Sequence, residues 1–163
     1  MVLGQFTKRT VYEVSNLQDV IVKIAQSEQE KEDAFFIRKE VFVKEQGLPL
    51  PLEMDDLDKI ATHIVAYYNE SPIAASRIIV DEKSYSVKVE RLSVLPKFRR
   101  KQIGVQMMQT IEAFIRENFP NVSLIKIHAQ IHAIPFYEKQ GFRVTSPEFM
   151  DNYIPHRAIE KEI

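Results

Sequence analysis

The sequence predicts an α/β (α+β) domain built on a mixed, mostly antiparallel central sheet of about six to seven strands, with helices on both faces. Three observations carry that expectation. Short β-branched and apolar runs recur between turn signals, as strands do. Two longer stretches repeat apolar residues at spacings of three and four, as amphipathic helices do. The resulting order, β-α-β-β-β-α-β-α-β-β, contains no internal repeat, linker or low-complexity tract. At 163 residues there is room for a single domain with a real core and too little for two.

Residues 1–16 are the least defined and are expected to be a loosely attached extension, although TVYEV at 10–14 alternates well enough for a short strand. VIVKIA at 20–25 is a stronger strand. Ser27 then offers an N-cap, with Glu28 and Glu30 in the first turn of a helix running to roughly residue 44. Phe35, Phe36, Val41 and Phe42 suggest its buried face; Gly47 stops it, and Pro49 and Pro51 prevent its continuation. LPLEMDDLDK at 50–59 reads as a loop carrying Glu53, Asp55, Asp56 and Asp58, a field that would draw a cationic amine. Strands are expected over 62–68 and 73–80, about the turn Asn69-Glu70-Ser71-Pro72. Further strands are expected over 87–95, 122–130, 142–145 and 154–163. A short helix over 133–140 ends at Gly141.

The chemistry concentrates in VKVERLSVLPKFRRKQIGVQMMQTIEAF, residues 87–114. Pro96 ends the strand because it has no donor for a sheet ladder. Arg99, Arg100 and Lys101 come next, and a helix begins near Ile103 with Met107, Ile111 and Phe114 on one face. The first amides of a helix lack intrahelical partners and sit at the positive end of its dipole. Strand, basic turn and helix start therefore form a device for holding phosphate, and Gly104 lets the backbone come close to a bulky ligand. Neither GxxxxGK[ST] nor GxGxxG occurs, so the pattern is neither a P-loop nor a dinucleotide fingerprint.

Composition narrows the classes further. A net charge of −1 argues against a general nucleic-acid binder, although 97–101 is a local basic patch. With no cysteine, disulfides, thiolate metal sites and a Cys nucleophile are excluded. The four histidines lack metal spacing such as HExxH, so no metal is expected. No apolar run approaches the roughly 18 residues of a membrane helix, and no signal-peptide core opens the chain. The expectation is a soluble cytoplasmic domain that binds neither membrane nor nucleic acid.

Two stretches together resemble the GNAT superfamily of acyl-CoA-dependent N-acyltransferases. Residues 99–104, RRKQIG, are similar to its (Q/R)xxGx(G/A) phosphate loop, and AIPFYEKQGF at 133–142 is similar to its more specific A-x-x-(F/L)-Y-E-K-x-G-F signature. VFVKEQGLPL and IPHRAIEKEI further resemble a bacterial branch of small members, and the likeness covers about residues 20–163. The resemblance implies one GNAT-fold domain using acetyl-CoA as cosubstrate. It also implies direct transfer to a primary amine, on a small molecule or a peptide, and dimerisation, which is common in that family. Backbone groups of Leu92, Ser93 and Val94 would pair with pantetheine. Arg99, Arg100, Lys101, Gln102, Ile103, Gly104 and Val105 would hold the pyrophosphate. A backbone amide near Val94 would polarise the thioester carbonyl, and Tyr137 would protonate the departing thiolate.

The chain departs from the family pattern at three positions. Gln102 replaces the first glycine of the loop, which bears on how closely the backbone approaches the pyrophosphate. Gln130 replaces a frequent Asn seven residues before the tyrosine but keeps an amide that could hold pantetheine. Ile125 stands where some members carry a basic carboxylate, so Glu90 is the first candidate for general base, beside the alternatives that it is a paired structural charge and that a water chain deprotonates the amine without a dedicated base. His128 and His132 flank the cleft in sequence and have a useful pKa. Phe42, Glu45 and Gln46 are expected near the acceptor. The rival expectations are a non-catalytic acyl-CoA sensor on the same fold and a nucleic-acid binder using the 97–101 cations. Retention of Tyr137 speaks against the first and the net charge against the second.

Overall fold

The computed structural model describes residues 11–14 and 19–163. The expected extension over 1–16 thus lies outside the described residues except for strand β1, Val11–Val14. Strand β2 is Val20–Ile24, and its alternating burial reflects the two-residue period of a strand. Helix α1, Glu28–Arg38, opens with a complete capping box: Ser27 Oγ accepts from Glu30 N–H at 3.1 Å, and Glu30 Oε1 accepts from Ser27 N–H at 3.1 Å.

The helix does not run on as a regular α-helix. Lys39–Glu45 widens into π-helical turns, with Gln46 N–H on Val41 O at 3.0 Å, before Gly47 ends it at φ +77°. The apolar stripe shifts with the change of pitch: Phe36 of the expected buried face is 49% exposed, while Ala34, Ile37, Val41 and Phe42 are buried. The expected loop 50–59 is ordered too, as helix α2, Leu50–Glu53, and a 3₁₀ turn, Asp56–Lys59. Pro51 sits in the first turn of α2, where a missing N–H costs nothing.

Strands β3 (Thr62–Tyr68), β4 (Ser71–Asp81) and β5 (Ser86–Val94) form the expected meander. Helix α3 is Ile103–Asn118 and β6 is Leu124–Gln130. Helix α4, Ile134–Glu138, leads to Gly141 at φ +94°. Strands β7 (Arg143–Val144), β8 (Phe149–Asp151) and β9 (Ile154–Glu162) complete the chain. Among the described residues the nine strands run β1-β2-β3-β4-β5-β6-β9-β7, with β8 also on β9. The count exceeds six to seven because short edge pieces, β8 above all, carry too few alternating residues to register in sequence. Among these strands only β5 and β6 are parallel neighbours.

Helices cover both faces, as β3 makes plain. Its Ile64 and Ala66 face the cluster containing Met107 and Ile111 of α3, and Val65 faces Ala34 and Ile37 of α1. The predicted stripe of α3, Ile103, Met107, Ile111 and Phe114, is buried throughout. Among the described residues no helix is long and apolar enough to cross a membrane.

A buried ionic network replaces apolar packing beneath α2. Arg38, at 0% exposure, donates to Glu53 through Nε and Nη2 at 3.0 Å each and to Asp58 at 2.7 Å. Arg77 donates to Asp55 at 2.6 Å, Asp58 at 2.9 Å and Glu90 at 2.6 Å. Arg91 adds contacts to Glu53 and Asp55 at 3.4 Å. The acidic segment is therefore a structural strap, and of its four carboxylates only Asp56 stands in solvent. This corrects the expectation that the segment as a whole draws a substrate amine. His63, packed edge-on against Phe35, is structural too: its Nε2–H donates to Asp58 O at 2.9 Å.

Arg38→Met strands Glu53 and Asp58 without their main partner and should cost about 3–5 kcal/mol in chemical denaturation; a loss under about 1 kcal/mol would show the network to be dispensable. Arg77 holds the Asp55 carboxyl below its ordinary range, and Arg38 and Arg77 do the same for Asp58 against its burial. Their stabilisation is full above the unfolded value of about 3.9 and is lost as pH falls through the lower native values. Wild-type stability should thus decline on acidification below about pH 4, and Asp58→Asn should flatten that decline.

Candidate active site

The site begins where two paired strands separate. β5 and β6 hydrogen-bond in parallel only over Ser86–Lys88 and Leu124–Lys126. On the far side of β5 the register with β4 slips: Ser93 faces Ala75, Glu90 faces Arg77, and Arg91 and Leu92 share the position opposite Ser76. This is a β-bulge, with Arg91 in the left-handed region at φ +58°. A bulge bends the strand that carries it, and here the bend coincides with the parting of the two arms. Ser76 Oγ and Ser93 Oγ tie the bulge down through Glu90 O at 2.9 Å and Arg91 O at 3.1 Å.

Between the arms lies a cleft of about 670 Å³. One arm presents Leu92, Ser93 and Val94 and the other Ile127, His128, Ala129 and Gln130. Leu95 N–H bonds Ile73 O of β4 at 2.9 Å, so by strand alternation the Val94 N–H and C=O point into the cleft. The turn after β5 and the start of α3 close one end. Gln106 N–H makes the first intrahelical bond, to Gln102 O at 3.1 Å, which leaves the amides of Ile103, Gly104 and Val105 ahead of it.

Gln102 occupies the left-handed region at φ +66°, ψ +12°. It thus adopts the conformation for which a glycine is the usual choice, at a cost of roughly 1–2 kcal/mol. Gly104 serves packing as well as access, since a Cβ there would lie 2.9 Å from the Phe136 ring. Arg100 and Gln102 both have positive φ, and Lys101 between them is exposed. Lys101 does not line the cleft, unlike every other predicted site residue.

The two arginines of the turn differ. Arg99 is committed: its Nε donates to Val94 O at 2.9 Å and its Nη1 and Nη2 grip Glu45 at 2.6 Å each. Arg100 lines the cleft with no ion-pair partner among the described residues. Gln130 Nε2 donates to Gln46 Oε1 at 2.9 Å. The end of the π-helical segment is thus tied to both arms, through Glu45 to one and Gln46 to the other. Phe42, Glu45 and Gln46 line the cleft as expected.

Tyr137 sits at the inner wall, 7% exposed, wedged edge-on between Phe136 and Phe142. Burial pushes its phenol above the ordinary value, so it stays protonated. Glu90 lines the cleft 11% exposed, with Oε2 on Arg77 and Oε1 on Lys88 at 2.8 Å. Burial raises its proton affinity, but Lys88 and Arg77 outweigh burial and hold the carboxyl below its usual range. A carboxylate so paired is a weak proton acceptor. His156, beside Phe149, has Nδ1–H on Ile154 O at 2.6 Å; His132 lies at the rim. Sequence reasoning missed Asp151 and Asn152, which also line the cleft. The Asp-Asn pair just before the last strand was the available turn signal.

Known proteins share this architecture. Residues 23–163 match the model of the family described as an acetyltransferase (GNAT) domain. The uncharacterized N-acetyltransferase YjcF of Bacillus subtilis is 39% identical over 140 residues, covering 85% of this chain and 97% of that protein. The uncharacterized protein YyaT of the same organism is 30% identical over 145 residues, covering 87% and 95%. The crystal structure of Escherichia coli ElaA superposes with a TM-score of 0.77 at 23% identity, covering 88% of this chain and 99% of that one. An acyl-CoA N-acyltransferase from Pseudomonas aeruginosa gives 0.76 at 23% identity, with 88% and 99% covered. At that identity the structural likeness speaks for the fold, while the family match and the B. subtilis relatives speak for descent. The chain belongs to the GNAT acetyltransferase family.

Proposed function

We propose that the chain transfers an acetyl group from acetyl-CoA directly to a primary amine. The observation that carries this is the fork itself: an open edge of β5 that leads to the start of α3 and Arg100 at one end and to Tyr137 within. The edge groups of Leu92 and Val94 pair with the pantetheine amides as an added strand would. Arg99 already occupies the Val94 carbonyl, so the Val94 N–H is the group left to polarise the thioester carbonyl. The amides of Ile103, Gly104 and Val105 hold the pyrophosphate, with Arg100 supplying the charge. Arg99 and Gln130 act beside them by bracing the two arms against Glu45 and Gln46.

Acyl transfer to an amine needs a proton for the thiolate that leaves, and a protonated phenol at the inner wall suits that role. The retained tyrosine favours catalysis over a sensor, because binding alone needs no proton donor. Glu90, the base expected from sequence, is placed in this scheme as the counter-ion that holds Lys88 and Arg77 along the β5 arm.

The test is calorimetric titration of acetyl-CoA and CoA, and then thiol release with a panel of amines. Tyr137→Phe should lower kcat by about 10²-fold or more with acetyl-CoA affinity kept; an unchanged kcat removes Tyr137 from the mechanism. Arg100→Ala should weaken CoA binding by about tenfold or more, the effect of losing a charge-assisted contact. Lys101→Ala should leave binding unchanged. Equal losses from the two would mean that the phosphates lie elsewhere along the turn.

A further inference from the structure

Three carboxylates line the cleft: Glu45, Glu90 and Asp151. Glu45 is answered by a bidentate Arg99 and Glu90 by Arg77 and Lys88. Asp151 has one charged or chargeable neighbour among the described residues, His128, whose Nδ1 lies 3.6 Å from Oδ2. The unbalanced charges of the cleft are thus Arg100, on the turn after β5, and Asp151, at the end of β8. The phosphate end is already assigned to the first. The second marks a place for a cation.

Local geometry builds that place. Asp151 ends β8 opposite Ile154, and the two residues between them, Asn152 and Tyr153, have φ of +49° and +66°. A two-residue loop with positive φ at both positions is a type I′ hairpin turn, whose twist matches the paired strands. Asp151 is therefore presented from a ladder and not from a slack loop. In the same hairpin Phe149 stacks on His156 at 6.2 Å and meets the His128 ring edge-on at 5.0 Å. His128, on β6 just past the point where the arms part, is held by Phe149 and faced by Asp151. Both remain about two-fifths exposed, open to an incoming molecule.

We propose that Asp151 and His128 form the acceptor subsite: Asp151 draws the ammonium of a cationic amine, and His128 Nε2 takes its proton. The proposal rests on the acyl-transfer function above and names its acceptor class. With Nδ1 turned to Asp151, the Nδ1–H tautomer leaves the Nε2 lone pair for the substrate. Burial and the Lys88 ammonium push the His128 imidazole below its ordinary value, against Asp151 and Glu90, which pull it up; His132 and His156 complete the titratable groups of this wall. A base with a depressed pKa is neutral and ready near pH 7.

The protons balance. The ammonium gives one to His128, which passes it to solvent. The amine lone pair forms the C–N bond to the acyl carbon, and the C–S bond breaks. Tyr137 gives its proton to the thiolate and regains one from the attacking nitrogen. Ammonium and thioester thus become amide, thiol and one released proton. An acceptor with a carboxylate beside its amine would bring that carboxylate against Asp151, so the favoured class is an amine without one.

The test uses the full chain, acetyl-CoA and amines paired by that carboxylate: phenethylamine against phenylalanine, and putrescine against ornithine. The decarboxylated member should win by about tenfold or more in kcat/KM, the worth of one modest charge contact. Asp151→Asn should raise KM for the cation and narrow that preference. His128→Gln should lower kcat by about 10²-fold and abolish the acid limb, in which the wild-type rate falls as pH drops through the imidazole pKa. Both variants should bind acetyl-CoA as the wild type does, which also certifies their folding. Equal use of the paired amines, or an acid limb that survives His128→Gln, overturns the subsite. Acetyl-CoA binding with none of these cations turned over overturns it too and leaves the cofactor cleft standing. Failure to bind acetyl-CoA at all overturns the acyl-transfer function beneath it.

Discussion

The cleft of this molecule depends on two strands that pair for three residues and then stop. Parallel neighbours normally continue their ladder, because an unpaired edge inside a sheet leaves donors and acceptors unmet. Here the ladder ends at Lys88 and Lys126, and the bulge at Arg91 bends β5 where the separation opens. Parting exposes a strand edge in the middle of a nine-stranded sheet while both arms remain held by their outer neighbours. A ligand with amides in an extended chain can then complete the sheet from within. The cost is backbone strain at Arg91, Arg100 and Gln102, all left-handed and all at the cleft.

That opening would be weak without the ionic network beside it. Arg77 lies between β5 and the strap formed by α2 and the 3₁₀ turn after it, and it touches Glu90 on the first and Asp55 and Asp58 on the second. Buried charges of this kind add little net stability over apolar packing. They do impose direction, since each guanidinium accepts few arrangements of its carboxylates. The bulge, Glu90 and the strap are thereby held to one geometry. The same pairings neutralise most charge near the cleft, which is why Arg100 and Asp151 stand out. A cleft with one unbalanced cation and one unbalanced anion on separate elements has a direction of its own.

The π-helical turns after α1 add the third wall. Continued as a regular α-helix, the segment would present a different set of side chains. Widened, it brings Glu45 to Arg99 on one arm and Gln46 to Gln130 on the other. A single short element thus braces both sides of the fork while lining the cleft.

Much of this was legible in the sequence, for a physical reason. Strand alternation, the 3.6-residue stripe of α3, the Ser27 capping box and the glycine stops are local, and local spacing expresses them. The two family-like motifs and Tyr137 were legible because short-range chemistry constrains adjacent residues. The π-helical widening, the strap over 50–59 and strand β8 were not. The first two are stabilised by partners far along the chain, Glu45 by Arg99 and Gln46 by Gln130 in the one, Asp55 and Asp58 by Arg77 in the other, while β8 is too short to register a period. Sequence alone placed Arg99 beside Arg100 and Lys101 as three like cations. Tertiary structure separated them, binding Arg99 to Glu45 and leaving Arg100 at the cleft without an ion-pair partner among the described residues, with Lys101 outside its lining. It likewise paired Glu90 and left Asp151 unbalanced beside His128. The identity of a charge is written locally, but its availability depends on which opposite charge the fold brings within reach.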